Sequence, residues 1–589
     1  MKIIIHSITF LFTLYLTAQP NYIRTLGTYY GDDTMVIRDS AMDSNGNIVI
    51  FGNINITENT TQFTFSTSNA HQQTFAGGIS DCFLAKFTPL GTILWATYFG
   101  GENEDRANNV SIDYLDNIIL IGTTKSSTGI ATLESFQPNL NGYTDQFISK
   151  FNTNGMLLWS TYFGANDTSD FPILDESSGT LGYSSTAINN NGEIFALIKN
   201  SLLTNMSTQG VFQEFNTHNN GSMIVKFNST GERIWATYYG INLSHAYNIQ
   251  CDNDGVYVLG QTNDCPPLEL NSYFSSDSAF QPSPSSCADL FISKFHADHG
   301  TREWSTYYGG LSKEFLFKKS LKIHKNHLYI AGITSSLTNI TTPNSYLPTK
   351  ANGTTFFFSK FTTYGEQVWG TYYYDPSIGS IPSAMQHIGI TAFDDYLYVF
   401  GKTEFATNFT TENSYQEIYS GGSDGFLLKF TTDGERDWAT YFGGWSEDRV
   451  DNVLFKDDAI FLLGMTKSVQ NISTQNGIQP TLLNYGDPNL GAPSNIFISK
   501  LEPNILSLQE NKRNTVSVYP NPNNGSFTLV LPIESEAEIE VFDILGKKMF
   551  QQKVFTNQTI STNNWSKGIY LAKITSGNSI FETVKIVVE

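Results

Sequence analysis

The sequence is poor in cysteine and in charged residues, and both shortages exclude classes of protein. Only 4 of its 589 residues are cysteine, and charged residues make up 15%. No zinc-ligand spacing of cysteine occurs, which excludes the common structural zinc modules. Lysine and arginine (34) are outnumbered by aspartate and glutamate (55), so the net charge is −21. Because phosphate neutralisation needs clustered basic residues, we expect no nucleic-acid partner.

Long hydrophobic runs are also missing, with one exception at the N-terminus. An apolar run from Ile3 to Leu16 follows Lys2 and is itself followed by small residues. This run is too short to cross a bilayer and has the layout of a cleavable signal peptide. We therefore expect residues 1–18 to be a signal peptide and no transmembrane segment to remain after its removal.

The four cysteines fall into two kinds of context. Cys265 and Cys287 lie 22 residues apart in one polar loop, and an exported chain meets an oxidising environment. We predict a disulfide between them. Cys82 and Cys251 lie in strand-like segments three repeats apart, and we predict that they are free, buried thiols.

Helix-forming composition is absent, and a strand-forming repeat takes its place. Segments rich in Ala, Glu, Lys and Leu do not occur, whereas aromatic residues reach 14%, which favours short strands joined by polar turns. A W-x-T-Y-[F/Y] motif recurs with a period of 64 to 76 residues, the signature of a repeat architecture. Its tryptophans are Trp95, Trp159, Trp235, Trp304, Trp369 and Trp438.

A second motif, F-x-x-K-F, fixes the number of repeats. Seven copies occur, beginning at Phe83, Phe147, Met223, Phe291, Phe357, Phe426 and Phe497. Only six are followed by a Trp strand, and residues 23–30 supply the missing outer strand at the other end of the chain. Four-stranded units that cannot bury both faces alone stack radially. The sequence thus predicts an all-β, seven-bladed β-propeller over residues 19–501, in which the N-terminal strand closes the last blade.

The two motifs also carry a family resemblance. The patterns [Asp/Asn/Ser]-x-F-x-x-K-F and W-x-T-Y-[F/Y]-G resemble the β-propeller repeat family called SBBP, over roughly residues 23–501. The resemblance implies the propeller fold, and the family supplies no single shared activity.

The character of the chain changes after residue 501. Residues 502–514 are polar and are predicted to be a linker, and the alternating strands of residues 515–589 predict a small β-sandwich. Three motifs there resemble the type A C-terminal sorting domain of the type IX secretion system of Bacteroidota. The resemblance implies export through that machinery as a partner, to a secreted or outer-membrane cell-surface location. The motif residues are Tyr519, Pro520, Asn521, Pro522, Gly525, Asp543, Gly546, Lys547, Gly568, Tyr570 and Lys585.

The repeat acts as a filter for functional residues. A group present in every blade is predicted to be architecture, because a site needs its groups only once. We therefore assign the seven equivalent lysines and the six tryptophans to packing between blades. The acids of Glu104-Asp105-Arg106 and Glu447-Asp448-Arg449 are assigned to structural caps rather than to an acid/base pair.

One histidine cluster is not repeated. His296 and His299 lie in a turn of blade four, and His324 and His327 lie in a turn of blade five on the same side of the disc. Imidazoles from neighbouring blades can bind a transition metal. Exposed turn residues are the simpler interpretation, so we predict no metal and no cofactor and keep these four as the only metal candidate.

Topology indicates where a ligand would bind. Connections between second and third strands, and between blades, are long and variable, and both sets emerge on one side of a propeller. Variable loops on a rigid scaffold are where binding usually resides, and residues 163–182 and 261–289 depart most from the repeat. Our candidate ligand contacts are Asp170, Phe171, Asp175, Tyr273 and Phe274.

Three functions remain open from the sequence. We favour an exported binding or adhesion module for a polysaccharide or a surface protein. The alternative is a secreted polysaccharide-degrading enzyme on a propeller scaffold, and a third possibility is a structural spacer. One fold carries many chemistries, and no catalytic residue is identified, so we lean towards a protein that is not an enzyme.

Overall fold

All described secondary structure is β. The computed structural model describes residues 21–56, 65–165, 184–200, 205–216, 221–241, 244–262, 273–374, 387–483, 494–504, 517–531, 537–544, 546–555, 558–576 and 579–589. These residues form strands and turns, with no helix among them. The predicted all-β class is confirmed. The predicted signal peptide lies outside the described residues.

The chain divides into two compact units, the larger spanning Tyr22–Glu502. Its strands are β1 (Tyr22–Tyr30), β2 (Met35–Met42), β3 (Ile48–Asn55), β4 (Ser80–Phe87), β5 (Ile93–Phe99), β6 (Asp105–Ile112), β7 (Ile118–Thr124), β8 (Asp145–Phe151), β9 (Leu157–Phe163), β10 (Ser185–Ile188), β11 (Ile194–Asn200), β12 (Gly221–Phe227), β13 (Arg233–Tyr239), β14 (His245–Cys251), β15 (Gly255–Gln261), β16 (Leu290–His296), β17 (Arg302–Tyr308), β18 (Glu314–Phe315), β19 (Leu321–His324), β20 (His327–Thr334), β21 (Thr355–Thr362), β22 (Gln367–Tyr373), β23 (His387–Phe393), β24 (Tyr396–Thr403), β25 (Asp424–Thr431), β26 (Arg436–Phe442), β27 (Asp448–Lys456), β28 (Ala459–Thr466) and β29 (Asn495–Pro503).

These strands form seven antiparallel sheets, which are the blades of a propeller. Blades one to six are β2–β5, β6–β9, β10–β13, β14–β17, β18–β22 and β23–β26, and blade seven is β27–β29 with β1 at its edge. The innermost strands contact one another in a closed ring, in the order β2, β6, β10, β14, β19, β23, β27 and back to β2. The ring defines a central channel, and pairing β1 with β29 joins the two ends of the propeller.

The core lies between the blades rather than within any one of them. Every residue of the F-x-x-K-F strand β4 is buried. Alternation sends Phe83 towards blade seven and its neighbour Leu84 towards blade two. A strand buried on both faces by neighbouring sheets reads as a nearly continuous apolar run, which explains this motif.

Several of the repeated lysines and five of the six repeated tryptophans link one blade to the next. In blade one, Trp95 Nε1 and Lys86 Nζ both donate to the carbonyl oxygen of Thr153 in the third turn of blade two, at 3.0 and 3.1 Å. Lys86 also pairs with buried Asp43 at 2.8 Å. Gly155 lies against the Trp95 ring, where a Cβ would come within 2.8 Å of it. Equivalent tryptophan bonds run from Trp159 to Ser229, Trp235 to Ala297, Trp304 to Thr363 and Trp369 to Thr432.

The C-terminal residues form a separate two-sheet sandwich. Its strands are β30 (Ser517–Tyr519), β31 (Ser526–Val530), β32 (Ala537–Asp543), β33 (Lys548–Val554), β34 (Gln558–Ser561), β35 (Gly568–Ser576) and β36 (Ser579–Val588). One sheet has the order β30-β31-β34 and the other β33-β32-β35-β36. Apolar side chains of both sheets, such as Leu529 and Val541, share one core, so the predicted sandwich is confirmed.

The motif residues of this unit are mostly structural in their contacts. Asp543 and Gly546 close a hairpin turn in which Lys547 N donates to Asp543 Oδ1 at 2.9 Å. The hydroxyl of buried Tyr570 donates to Ser566 O at 2.7 Å. Tyr519, in contrast, is 54% exposed and is available to a partner.

No helix within the described ranges combines the length and the hydropathy needed to span a bilayer.

Candidate ligand-binding site in the central channel

The innermost strands do not run smoothly past the channel. Four of them carry one extra residue that the partner strand does not match, namely Arg38, Asn108, Tyr247 and Asp451. All four are partly exposed. Such bulges re-aim side chains and free main-chain polar groups, and they are frequent next to functional sites.

Blade five departs further from this pattern. Its inner strand is split into β18 and β19, and the five residues Leu316–Ser320 between them face only two residues of β20. In the bulged inner strands of blades one and two, three residues face the two equivalent residues of the second strand. The additional residues bring two consecutive lysines, Lys318 and Lys319, to the channel.

The two lysines reach the far side of the ring. Lys318 Nζ donates to the carbonyl oxygens of Arg38 and Asn108, in blades one and two. Lys319 Nζ pairs with Asp39 Oδ1 of blade one at 2.7 Å. Side chains from blade five thus cross the channel and contact strands that are three blades away.

Neighbouring blades hold the inserted segment in place. Asn248 of blade four donates to Phe317 O at 2.9 Å and accepts from Ser320 N at 3.0 Å. On the other side, Ile390 N of blade six donates to Lys319 O at 2.8 Å. The lysines are therefore presented by a fixed backbone, a form of preorganisation that lowers the entropic cost of binding.

Blades six and seven complete the cluster. Arg449 Nε lies 2.7 Å from Asp451 Oδ1. The same carboxylate oxygen is 3.5 Å from His387 Nε2, which makes no hydrogen bond within the described part of the chain. Lys322, on β19, has no ion-pair partner among the described residues.

Burial and mutual charge shift several pKa values in the cluster. Burial lowers the pKa of Lys318 to about 8, although Asp39 opposes the shift. Burial also lowers the pKa of Lys322, with Lys319 adding to the effect, and lowers that of His387 to about 4. Burial opposes the ionisation of Asp39, but Lys319 and Lys318 outweigh it and hold its pKa below the ordinary value. His387 is therefore neutral at pH 7.

The cluster offers both positive charge and groups that transfer protons. The cations are Arg38, Lys318, Lys319, Lys322 and Arg449, and the described anions are Asp39 and Asp451. An arrangement of this kind stabilises an anionic group. A lysine whose pKa lies near 8 and a neutral histidine beside a carboxylate are also the kinds of group used in acid/base catalysis.

Sequence reasoning missed this cluster although part of its signal is visible. The filter that removed repeated residues directed attention to the long loops rather than to the inner strands. The segment E-F-L-F-K-K-S-L-K-I-H, residues 314–324, contains three lysines and is two residues longer than its equivalents. Its convergence with Asp39 and Asp451 depends on ring closure, which no local pattern shows.

Of the predicted ligand contacts, the described ones are packed inside the propeller. Phe274 is fully buried and stacks on Phe291 at 3.9 Å between ring centroids, so it offers no surface to a ligand. The Tyr273 hydroxyl accepts from Gly240 N at 3.0 Å, and its ring stacks on Tyr239. Asp170, Phe171 and Asp175 lie outside the described residues.

The four candidate histidines do not assemble into a metal site. The rings of His296 and His299 lie 3.8 Å apart between centroids, tilted by 35°. His324 Nε2 contacts Asp394 O at 2.6 Å, and His327 Nδ1 contacts Lys325 O at 2.9 Å. Within the described ranges, no group of three or more His, Cys, Asp or Glu side chains is placed to hold a metal ion.

Three of the four cysteines lie in the part of the chain that the structure describes. Cys82 and Cys251 are free thiols; Cys82 is buried as predicted, whereas Cys251 is only partly buried. Desolvation raises the pKa of both thiols. Cys287 is disulfide-bonded. Its predicted partner Cys265 lies outside the described residues, so that pairing stays a prediction.

A comparison with protein families identifies the C-terminal unit. Residues 517–589 match the family described as the secretion system C-terminal sorting domain. The predicted type IX sorting domain is confirmed. The protein is thus secreted or located at the outer-membrane cell surface, and its sorting domain implies interaction with the type IX machinery.

Curated relatives match only a short part of the chain. The ulvan lyase NLR42 of Nonlabens ulvanivorans is 32% identical over 92 residues, which are 15% of this chain and 17% of the lyase. An endo-acting ulvan lyase of Formosa agariphila is 32% identical over 89 residues, 14% of this chain and 17% of that protein. The chain spans less than a fifth of the length of these relatives.

Solved structures give broad but weak likenesses. The polysaccharide lyase Uly1 is 10% identical with a TM-score of 0.38, covering 83% of this chain and 98% of the lyase. The β-propeller domain of the Trilobed protease from Pyrococcus furiosus is 10% identical with a TM-score of 0.36, covering 78% and 98%. Likenesses this weak carry no argument about activity, and the propeller described above rests on its own strand pairing.

Proposed function

We propose that this protein is an exported, ligand-binding β-propeller that binds a polysaccharide at its central channel and acts as a binding or adhesion module. The observation that supports this most directly is the non-repeated cluster built around Lys318 and Lys319. An insertion that interrupts a sheet and places charged side chains in the channel departs from the regular pattern of the fold, and such departures are expected at functional sites.

The long-loop face belongs to the same proposal. The prediction of long connections between blades is wrong for most blades, because apart from those before β10 and β23 they contain only four or five residues. The long loops of this face join second and third strands, and a ligand entering the channel from that face passes them. Asp170, Phe171 and Asp175 remain our proposed loop contacts. The repeated motifs likewise support assignment of the blades to the SBBP repeat family, as a proposal.

A second candidate function is cleavage of a polysaccharide. His387 beside Asp451, and Lys318 with its lowered pKa, supply proton-transfer groups in the channel. The ulvan lyase matches agree with this function only in part, because a shared segment of 92 residues is little longer than the sorting domain. A common export signal would give a match of that size without common chemistry.

One experiment separates the two functions. Purified protein lacking residues 1–18 is incubated with a panel of soluble and insoluble polysaccharides, and both retention and the release of new chain ends are measured. Retention without new ends supports a binding module. Formation of new ends shows an enzyme and makes His387, Asp451 and Lys318 the first residues to substitute. No retention and no product would contradict both.

A further inference from the structure

The charge of the channel is opposite to that of the whole protein. The chain carries a net charge of −21, yet the described channel residues include five cations and two carboxylates. Within the described part of the chain, Lys319 pairs with Asp39 and Arg449 with Asp451, and Lys322 has no carboxylate partner. An isolated positive recess on an acidic protein concentrates anions there and repels long polyanions elsewhere on its surface.

Lys322 is the clearest member of this excess. It lies on the inner strand β19, where its neighbour Ile323 packs between blades four and five. Lys322 therefore projects from the opposite face of the strand, which adjoins the inner strand β23 of blade six. Lys319 is near enough to repel it, and no described carboxylate pairs with it. Like charges held together by a rigid backbone are stabilised when an anion binds between them.

The shape of the ring restricts what can enter. Each inner strand contacts the next one around the closed ring, so the recess is narrow. Side chains from blades one and five already cross it. Such a recess suits one extended sugar chain better than a duplex or a folded protein.

We propose that the ligand of the channel is an acidic polysaccharide, whose carboxylate or sulfate groups bind the cluster of Arg38, Lys318, Lys319, Lys322 and Arg449. This inference rests on the proposed function and specifies its ligand class. Lys318, Lys319 and Arg449 are held in place by hydrogen bonds and ion pairs, and Lys322 supplies charge that no described protein group neutralises.

The test uses four polysaccharide probes, three of which share one sugar chain. Dextran, carboxymethyl-dextran and dextran sulfate differ in charge but not in sugar, and polygalacturonate tests a natural uronate chain. We expect the three charged polymers to bind and plain dextran not to bind. We expect affinity to fall steeply between 50 and 500 mM salt, because the attraction is electrostatic.

Variants at Lys322 locate the binding site. Lys322→Met is expected to weaken binding of the charged polymers about 5-fold and Lys322→Glu more than about 10-fold, since the latter reverses the local charge. The matched control is Lys325→Met, in an exposed turn of the same blade, where Lys325 pairs with exposed Asp395. The control should bind like the unchanged protein. Thermal melting of each variant checks that the fold is retained.

The outcomes separate this inference from the function it rests on. Binding of a neutral polysaccharide, with charged dextrans inert, would overturn the acidic-ligand inference and leave the binding function intact. Unchanged affinity in both Lys322 variants would place acidic ligands outside the channel and overturn the inference. Single-stranded DNA bound as tightly as dextran sulfate would show a general polyanion site and overturn the polysaccharide assignment. Binding of no polysaccharide at all would contradict both proposals.

Discussion

Buried carboxylates face each other at three of the contacts between neighbouring blades. One comes from the start of a third strand and the other from the inner strand of the next blade. At Gly100, a Cβ would lie 2.5 Å from Asp81 Oδ1 and 2.9 Å from Asp105 Oδ2, so both acids contact the same glycine. The pairs are Asp81 with Asp105, Asp289 with Glu314, and Asp424 with Asp448.

Such a pair is not present at every contact between blades: Asp145 of blade two is buried at the position equivalent to Asp81, and no described carboxylate faces it. The equivalent positions between blades three and four are Gly221 and Ser244, and between blades seven and one they are Asn495 and Met35. Two buried like charges cannot both ionise cheaply, so such a pair retains a proton.

The first prediction concerns pH. Burial raises the pKa of Asp424 to about 7, with Asp448 adding to the effect. Because this lies above the value of an unfolded chain, the folded protein binds more protons between about pH 4 and 7, and the free energy of unfolding falls as pH rises through that window. We expect Asp424→Asn to stabilise the propeller by about 1–2 kcal/mol at pH 8 and little at pH 5.

Calorimetric melting at both pH values measures this effect. Blade seven already carries asparagine at the equivalent position, Asn495, which accepts from Leu483 N at 3.1 Å, so the substitution fits the framework. Asp395→Asn is the control, since Asp395 is exposed and its pKa is lowered by Lys325. An equal loss of stability at pH 5 and pH 8 would contradict the paired-proton explanation.

The second prediction concerns the repeated lysines. They occupy equivalent positions, but we expect them to contribute different amounts to the free energy of unfolding. Lys150 pairs at 2.9 Å with Asp113, whose side chain is 1% exposed. Lys429 pairs with Asp437, whose side chain is 40% exposed. Removing one partner of a buried pair strands the other charge, whereas an exposed pair contributes little. Lys150→Met should therefore cost about 3 kcal/mol and Lys429→Met less than about 1 kcal/mol, measured by denaturant unfolding. Equal costs would show that the lysine stems, not the charges, matter.

At the scale of strands, the sequence predicts what repeats and misses what departs from the repeat. The F-x-x-K-F and Trp strands are visible because seven blades bury the same faces. The interrupted inner strand of blade five is not, because Leu316–Ser320 has neither alternation nor a turn signal. A related reason applies to the four histidines considered as metal ligands. Their sequence positions place them in neighbouring turns, but the direction of each side chain is set by contacts such as that of His324 with Asp394 O.

The third prediction concerns this strand. Replacing Leu316–Ser320 with Ala-Asn-Asn, the equivalent residues Ala107–Asn109 of blade two, should restore an ordinary bulge. Because Asp39 would lose Lys319, the change is made together with Asp39→Asn, which copies the asparagine found at the equivalent position in blade two. We expect a folded propeller whose affinity for dextran sulfate, the probe of the proposed ligand, falls more than about 10-fold.

Melting and binding of the replacement protein are measured together, with Asp39→Asn alone as the reference. Retained affinity in a folded replacement would show that the inserted lysines are not part of the binding site. A large loss of stability relative to the reference would instead assign the insertion a structural role.

At the scale of the whole molecule, the propeller depends on a contact between the two ends of its sequence. Strand β1 hydrogen-bonds to blade seven, with Tyr29 N donating to Gln479 O at 3.0 Å. The fully buried Tyr29 also donates its hydroxyl to Ser468 O at 2.7 Å. Without β1, the last blade would expose an unpaired edge and an apolar face. Closure therefore holds the channel cluster together, because Asp39 lies on β2, the strand that follows β1, and pairs with Lys319 of blade five.

The fourth prediction follows from this closure. Tyr29→Ala removes a large buried side chain and its hydrogen bond, and should destabilise the propeller by about 3–5 kcal/mol. Ile23→Ala, on the same strand but 40% exposed, should change stability by less than about 0.5 kcal/mol. Hydrogen exchange distinguishes the mechanism: in Tyr29→Ala, protection should fall first in β1, β29 and the inner strands β2 and β27, which adjoin the seam. Uniform loss of protection in all seven blades would show instead that the ring unfolds as one unit, and that closure stabilises every blade equally.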